Sequence, residues 1–201
     1  MSKIQVKPAS GKLGILTPGL GAVATTFMIG TKAVMRGLGQ PIGSLTQMGH
    51  IRLGKRTEKR NPLIKDFIPL APLENIEFGG WDLFDESCYE VAKRNHVLFP
   101  NLIEQVKDDI ADIKPMKAVF DPKYVSRLSG TYVKEGKTKM DLAKQLMDDI
   151  SSFKDRKKVD RVVMVWCAST EAYIQPSTIH MSIEAFEKAM ENNDPAIAPS
   201  M

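Results

Sequence analysis

The strongest constraint on this chain is a glycine-containing turn that joins two apolar segments near the N-terminus. Residues 13–16 are apolar and bounded by turn residues, which predicts a short buried strand. Residues 22–35 are apolar and small, which predicts a helix that ends near Gly37 or Gly39, where glycine caps are favoured. This strand and helix begin an alternation of strands and helices that continues along the chain, and that alternation predicts an α/β fold with a parallel sheet.

The turn itself carries a G-x-G-x-x-A pattern over residues 19–24. In dinucleotide-binding loops, a first glycine such as Gly19 permits the tight turn, and a second such as Gly21 lets a pyrophosphate approach the backbone. Ala24 would let the helix pack closely on the strand, while the helix N-terminus favours negative charge. The alternative is a glycine-rich turn that binds no ligand.

The same region could be mistaken for a membrane span, since residues 13–31 carry no charge. It contains Pro18 and four glycines, which fit a strand–turn–helix better, and no membrane association is expected. Residues 1–12 lack an apolar run with a cleavage site, so no secretory signal is expected. Cys88 and Cys167 form neither a CxxC pair nor a disulfide framework, and a cytoplasmic location is predicted.

Further strands and helices alternate along the rest of the chain, after a long irregular insertion over residues 40–72 with one short strand expected at 50–53. The unbroken apolar run over residues 162–166 predicts a central parallel strand that is buried on both faces. The predicted elements are strands at 74–78, 117–120 and 160–167, and helices at 86–94 (N-cap Asp85), 101–113, 140–153 (capping box Thr138 and Asp141) and one beginning after Ser177 or Ser182.

Asp82 follows the second predicted strand, where a dinucleotide-binding fold places an acid that binds the ribose hydroxyls. The usual offset is about 20 residues beyond the glycines. Asp82 lies about 60 residues beyond Gly21, and the irregular insertion accounts for the difference. An acid at this position favours NAD over NADP. The alternative is that Asp82 caps the helix predicted at 86–94.

The segment from Cys167 to Glu171 directly follows the strongest predicted strand. Ligands of open α/β sheets bind at the carboxyl ends of the strands, so its small and hydroxyl residues could line a cofactor. A nucleophilic cysteine needs a basic partner, and an inert Cys167 is favoured. The isolated His50, His96 and His180 give no metal-ligand spacing, so no metal is expected.

The charge distribution is asymmetric, because residues 1–60 carry ten Lys and Arg against Glu58, the single acid there. A basic first third favours an anionic partner such as a phosphate, a dinucleotide or a nucleic acid, and the alternative is a solvated basic loop. Residues 50–60 lack interleaved aromatic residues and a nucleic-acid motif, so no nucleic-acid partner is expected.

The glycine loop at 19–24, GSLTQ at 43–47, GGWD at 79–82 and WCASTE at 166–171 occur in this order along the chain. Together they resemble the myo-inositol-1-phosphate synthase family, which is also called inositol-3-phosphate synthase. GSLTQ, GGWD and the WCASTE strand form a specific combination. The matching segments, in family order, are 19–24 (GLGAVA), 43–47 (GSLTQ), 65–82 (KDFIPLAPLENIEFGGWD), 120–125 (FDPKYV), 158–171 (KVDRVVMVWCASTE) and 197–201 (IAPSM).

The resemblance implies a Rossmann-like parallel sheet with helices on both faces, which would form an NAD-binding domain over residues 13–201 after a tail over 1–12. It implies an enzyme of inositol and phospholipid biosynthesis that converts glucose 6-phosphate to inositol 3-phosphate by oxidation with NAD, aldol cyclisation and reduction. A homotetramer is implied for the complete enzyme.

The resemblance also places the family's cofactor contacts. They fall on Gly19, Gly21, Ala22, Val23 and Ala24 in the loop, on Asp82 for the adenosine ribose, on Ala118 and Val119 near the adenine, and on Cys167, Ala168, Ser169 and Thr170 near the nicotinamide. The chain departs from the family pattern where Val23 and Ala24 replace loop asparagines, so loop contacts there would come from backbone N–H groups. Cys167 and Ser169 replace Thr and Asn, and Ser129 and Tyr132 stand where the family has Gln and Arg.

The family's catalytic lysines and aspartate lie beyond the segment that 197–201 resembles, so no catalytic residue is expected in this chain. The chain alone is expected to hold NAD without completing the reaction, and glucose 6-phosphate would require the missing part. The strand at 159–167 would then present one unpaired edge. The alternative is a non-catalytic NAD-binding module.

Overall fold

The computed structural model describes residues 10–201 and contains a four-stranded parallel sheet with the strand order β3-β2-β1-β4. The first strand is central, and it pairs in parallel with both the second and the fourth. The predicted α/β class is confirmed. The strands are β1 (Leu13–Pro18), β2 (Ile76–Asp82), β3 (Met116–Lys117) and β4 (Arg161–Met164).

Eight α-helices lie between and after these strands within residues 10–201, together with 3₁₀ turns at Arg56–Glu58, Leu73–Asn75 and Thr178–His180. The helices are α1 (Ala22–Met35), α2 (Leu45–Met48), α3 (Ile64–Phe67), α4 (Cys88–Asn95), α5 (Pro100–Gln105), α6 (Lys107–Ile110), α7 (Lys139–Lys157) and α8 (Ile183–Glu191).

Helices cover both faces of the sheet, because successive side chains of β1 point to opposite sides. Ile15 packs in a core formed with α1, α4, α5 and α6, where Met28 and Ile103 are buried. Leu16 packs on the other face in a smaller core with Phe153 of α7. The expected two-sided arrangement is confirmed, and it holds the β1–α1 turn between two packed layers.

Several local signals behave as predicted. The first helix ends at Met35, and Gly37 follows it with a positive φ of 70°. Thr138 caps α7 and forms the expected capping box with Asp141. Ser182 caps α8, which decides between the two serines considered for that helix, and Ser177 begins only a 3₁₀ turn.

Other local predictions are wrong at their boundaries. The N-cap of α4 is Ser87 rather than Asp85, because the Ser87 hydroxyl and the Glu90 carboxylate form a reciprocal capping box. The single helix expected over 101–113 is divided into α5 and α6, since Val106 leaves helical geometry with φ −109° and ψ 10°.

The fourth strand does not occupy the centre of the sheet. Strand β4 lies at the edge next to β1. Met164 at its end and Trp166 just after it are about half exposed, at 51% and 46%. The prediction of a central strand buried on both faces is therefore wrong. The second expectation, an unpaired edge, is confirmed within residues 10–201. An unbroken apolar run indicates a buried strand, but it does not show which elements cover the strand or how many strands pair with it.

The insertion after α1 is largely irregular, as expected, and its regular structure is limited to the one-turn helices α2 and α3 and a 3₁₀ turn. Its predicted short strand at 50–53 is present only as an isolated antiparallel bridge between His50 and Leu63. The strand expected at 117–120 is shorter, and Ala118 instead forms a bridge with Val133. The predicted tail over residues 1–12 falls largely on residues 1–9, which lie outside the described residues.

Among residues 10–201, none of the helices combines the length and the apolarity that crossing a lipid bilayer requires.

Candidate functional site

A cleft of about 460 Å³ opens at the carboxyl ends of β1, β2 and β4. This volume lies within the range of about 300–1,000 Å³ that is typical of small-molecule and cofactor sites. Pro18 lines it from the end of β1 and Gly19 from the turn that follows. Trp81 and Asp82 line it from β2, and Cys167 from the segment after β4. The cleft thus lies where open α/β sheets bind their ligands.

Gly19 forms the tight turn at the base of the cleft. Its φ is +85°, and an added Cβ would lie only 2.6 Å from the Cα and the backbone N of Ala168. Its own N–H donates to the carbonyl of Trp81 at 2.8 Å. Both the left-handed conformation and the close approach of the segment after β4 therefore require glycine here.

Gly21 is the N-cap of α1 and faces open space. An added Cβ would meet nothing within 4 Å, and its φ of −78° is ordinary for any residue. Within the described chain, no side chain caps this helix and no acid lies in its first turn. The helix N-terminus is therefore an uncapped group of N–H donors beside the cleft, which suits an anionic phosphate.

The other predicted loop residues do not line the cleft with their side chains. Val23 is 68% exposed, while Ala24 is fully buried in the core between α1 and the sheet. The packing role expected of Ala24 is confirmed. Ala22 and Val23 lie on the exposed side of α1, so any contact with a ligand would have to come from the backbone.

Asp82 accepts three backbone hydrogen bonds. Its Oδ2 accepts from the N–H of Leu20 at 2.6 Å, and its Oδ1 accepts from the N–H groups of Leu83 and Phe84 at 2.8 and 3.2 Å. A carboxylate offers about four acceptor positions, so about one remains for a ribose hydroxyl. The carboxylate therefore also holds the glycine loop in place, a function that the sequence did not indicate.

The remaining predicted residues lie on the opposite walls of the cleft. Ala118 and Val119 line the wall that follows β3, while Ala168 and Ser169 line the wall that follows β4. Thr170 is exposed and lies outside the lining. The structure thus brings together eight of the twelve predicted residues around one cavity, and leaves Ala22, Val23, Ala24 and Thr170 outside its lining.

Cys167 is half-buried at the wall of the cleft, where burial raises the pKa of its thiol. Its backbone N–H donates to the carbonyl of Pro18 at 2.9 Å and so fixes the end of β4 against β1. A thiol with a raised pKa is a poor nucleophile, which agrees with the inert role favoured for Cys167.

The cleft also contains residues that the sequence analysis did not assign to cofactor binding. Trp81 is buried beneath it and donates from Nε1 to Asp149 at 2.7 Å. Arg94 of α4 reaches the cleft beside Asp82, and Glu171 accepts from the N–H of Ser200 at 3.1 Å across its rim. In the sequence, Arg94 could have been indicated only by its distance from Asp82. The helix that starts after the Ser87 cap reaches Arg94 after about two turns.

A second cavity of about 540 Å³ lies between α7, α8 and residues 119–124. The Lys139 ammonium group projects into this region and donates to the carbonyls of Asp194 and Ile197, at 2.7 and 2.5 Å. Burial lowers the pKa of Lys139. Because this cation is bonded to main-chain oxygens, its role here is to anchor the segment after α8.

The residues around the first cleft fit a dinucleotide. Gly21 leaves open space at the helix N-terminus, Asp82 retains an acceptor position, and apolar side chains such as Val119 and Leu128 supply walls for a planar ring.

Comparison with known proteins identifies the family. The family model described as myo-inositol-1-phosphate synthase matches residues 13–201. The chain belongs to this family. It is 47% identical to inositol-3-phosphate synthase 1 of Bacteroides thetaiotaomicron over 201 residues, which cover 99% of this chain and 46% of that protein. It is 29% identical to inositol-3-phosphate synthase isozyme 1 of Arabidopsis thaliana, over 94% of this chain and 40% of that protein.

The fold agrees with a solved member of the same family. The crystal structure of inositol-3-phosphate synthase from Caenorhabditis elegans superimposes with a TM-score of 0.82 at 22% identity, over 96% of this chain and 41% of that chain. This confirms the Rossmann-like fold. The chain spans less than half the length of the curated relatives it matches.

Proposed function

We propose that this chain binds NAD in the cleft at the carboxyl ends of β1, β2 and β4, as the cofactor-binding part of an inositol-3-phosphate synthase. The observation that carries the proposal is the hydrogen bond between Asp82 and Leu20. It brings the predicted ribose-binding acid and the glycine loop into direct contact, although they lie 62 residues apart in sequence.

The orientation of the cofactor follows from the chemistry of the walls. The pyrophosphate would lie over Gly21 at the N-terminus of α1, where the helix dipole favours negative charge. The adenosine ribose would bind the remaining acceptor position of Asp82, with the adenine against Ala118 and Val119. The nicotinamide would extend toward Cys167, Ala168 and Ser169, with Thr170 beyond them.

In the proposed reaction, NAD held in this cleft would supply reversible hydride transfer for the conversion of glucose 6-phosphate. The residues of this chain hold the cofactor, orient it and exclude water from one side of it. Apolar walls and fixed backbone donors are suited to that task, since they keep a charged cofactor in a partly dry site. No side chain of this chain is assigned to the proton transfers.

The proposal is tested by titrating the full chain with NAD while its tryptophan fluorescence is recorded. The two tryptophans of the chain, Trp81 and Trp166, both line the cleft, so a bound nicotinamide nucleotide should quench them. Saturable quenching that is lost in Gly21→Leu, with unchanged thermal stability, supports the proposal. A chain that binds no NAD in the millimolar range would contradict it.

A second candidate is a non-catalytic NAD-binding module. It is favoured by the lining of the cleft, which offers a glycine loop and an acid to the cofactor while no residue of it is assigned to proton transfer. An assay for conversion of glucose 6-phosphate to inositol phosphate in the presence of NAD separates the two. The assay is run on the chain alone and on a chimera in which the chain is extended by the part of the Bacteroides relative that it does not match. Conversion by the chimera supports the synthase, whereas NAD binding without conversion in either form supports the module.

A further inference from the structure

The adenosine-ribose end of the cleft contains an arginine as well as an acid. Arg94, in the last turn of α4, lines the cleft together with Asp82 and Phe84. The hydrogen bond to Glu86 raises the pKa of the Arg94 guanidinium, and the nearby Asp82 carboxylate adds to the rise. In dinucleotide sites an acid at this position selects NAD, whereas an arginine nearby accommodates the 2′-phosphate of NADP. This cleft holds both groups, so its selectivity depends on whether the arginine is free.

Arg94 is already engaged. Its Nε donates to Oε1 of Glu86 at 3.1 Å, and its Nη2 donates to Oε2 of the same carboxylate at 2.7 Å. This is a bidentate arginine–carboxylate pair, the geometry in which the guanidinium would also bind a phosphate. Glu86 directly precedes Ser87, the N-cap of α4, so the pair joins both ends of that helix.

We propose that Glu86 sets the cofactor selectivity of this cleft, by occupying the Arg94 guanidinium so that the 2′-phosphate of NADP cannot bind it. The inference rests on the proposed binding of NAD. Glu86 is a positioning residue here: it acts through Arg94 and does not line the cleft itself.

The charges at this end of the cleft agree with the proposal. Asp82 and Glu86 contribute two negative charges and Arg94 one positive charge, so the group is negative overall. The 2′-phosphate of NADP carries about −1.5 to −2 charges at neutral pH and would be repelled. The ribose of NAD is uncharged and needs only the remaining acceptor position of Asp82.

The proposal is tested by removing the charge of Glu86. The Glu86 and Arg94 side chains are partly exposed, at 34% and 53%, so the substitution leaves no buried charge without a partner. Dissociation constants for NAD and NADP are measured on the full chain and on Glu86→Gln. Glu86→Gln should bind NADP about tenfold more tightly, the size expected for one charge-assisted hydrogen bond. Its affinity for NAD should change less than about twofold. Glu86→Ala is a second variant with the same expectation.

The double variant Glu86→Gln/Arg94→Leu tests whether the tighter NADP binding of Glu86→Gln requires Arg94 or only the loss of the negative charge of Glu86. If Arg94 binds the 2′-phosphate, the double variant should bind NADP no more tightly than the unmodified chain. The matched control is Glu104→Gln, since Glu104 is an exposed carboxylate that accepts from Tyr89 and lies outside the cleft. This control should leave the ratio of NADP to NAD affinity unchanged.

Two results would overturn the inference while NAD still binds. One is an unchanged affinity ratio in both Glu86→Gln and Glu86→Ala. The other is an equal gain in the single and the double variant, which would show that Arg94 has no part in it. A wild-type chain that binds neither nucleotide would contradict the proposed function itself, and the inference on selectivity would fall with it.

Discussion

The carboxylate of Asp82 accepts a hydrogen bond of 2.6 Å from the backbone N–H of Leu20. This contact joins the end of β2 to the glycine loop that follows β1. The same carboxylate accepts from Leu83 and Phe84 through its other oxygen. Asp82 therefore fixes the shape of the loop before any ligand binds, and the loop and the acid act as one unit.

Replacing Asp82 with Asn should weaken NAD binding about tenfold or more, because hydrogen bonds to a charged group contribute about 1.5–3 kcal/mol. The amide retains one acceptor oxygen, which cannot serve Leu20 and the Leu83 and Phe84 N–H groups at once. The free energy of unfolding should fall by about 1–2 kcal/mol for the same reason. Fluorescence titration and urea denaturation measure the two effects.

The matched control is Asp85→Asn. Asp85 is exposed, lies three residues further along the same loop, and does not line the cleft. It should change neither quantity beyond about 0.5 kcal/mol. Equal effects of the two substitutions would show that the contact with Leu20 is unimportant.

The two glycines of the loop should respond differently to alanine. At Gly19 the positive φ and the 2.6 Å approach to Ala168 make a side chain unfavourable, so Gly19→Ala should destabilise the fold by about 1–3 kcal/mol. At Gly21 the added methyl group meets open space, so stability should be unchanged.

At Gly21, the substitution should affect NAD binding rather than stability. The methyl group would project where the pyrophosphate approaches the backbone, so Gly21→Ala should weaken binding about tenfold while its urea midpoint stays the same. The two quantities are measured on the same samples. A Gly21→Ala chain that binds NAD normally would remove the pyrophosphate from this loop.

The order of elements and the glycine turn could be predicted from sequence because each depends on local chemistry. The strand before Gly19, the helix after Gly21 and the Thr138 cap follow from period, backbone freedom and a side-chain hydrogen bond. The position of β4 at the edge of the sheet could not be predicted. The sequence of a strand shows that it is apolar, but it does not show whether one or two strands lie beside it. Burial is a property of the neighbours.

The site was predictable only in part, for a similar reason. Asp82 could be found because its place at the carboxyl end of β2 can be read from the sequence. Its bond to Leu20 and the pairing of Arg94 with Glu86 depend on distances across the fold, so no spacing rule reveals them. Ala24 shows the converse, because a residue inside the motif contributes packing rather than a ligand contact.

The two cysteines should differ in reactivity toward a disulfide reagent. Cys88 is fully buried, and burial raises the pKa of its thiol to about 12. Cys167 is half-buried at the cleft, and its pKa is raised by burial as well. Because only the thiolate reacts, one thiol per native chain should react slowly, with a rate that rises about tenfold per pH unit below its pKa.

Saturating NAD should slow that reaction, since the proposed nicotinamide position covers Cys167. Denaturation should expose both thiols and give two equivalents. The Cys167→Ser chain serves as the control, and it should not react in the native state. Two rapidly reacting thiols in the native protein, or a rate unaffected by NAD, would contradict the assignment.

The fold beneath the cleft should depend on Asp149, which accepts from Trp81 Nε1 at 2.7 Å and pairs with Lys134 Nζ at 2.8 Å. The Lys134 side chain is only 9% exposed, so Asp149→Ala would leave a buried ammonium and an indole N–H without their partner. Removal of one member of a buried ion pair costs about 3–5 kcal/mol.

Asp148→Ala is the matched control, because Asp148 is the exposed neighbour on the same helix and the gain in helix propensity is equal. Urea denaturation should therefore show a loss of about 3 kcal/mol for Asp149→Ala relative to Asp148→Ala. A difference below about 1 kcal/mol would show that water replaces the carboxylate, and that the floor of the cleft does not depend on this pair.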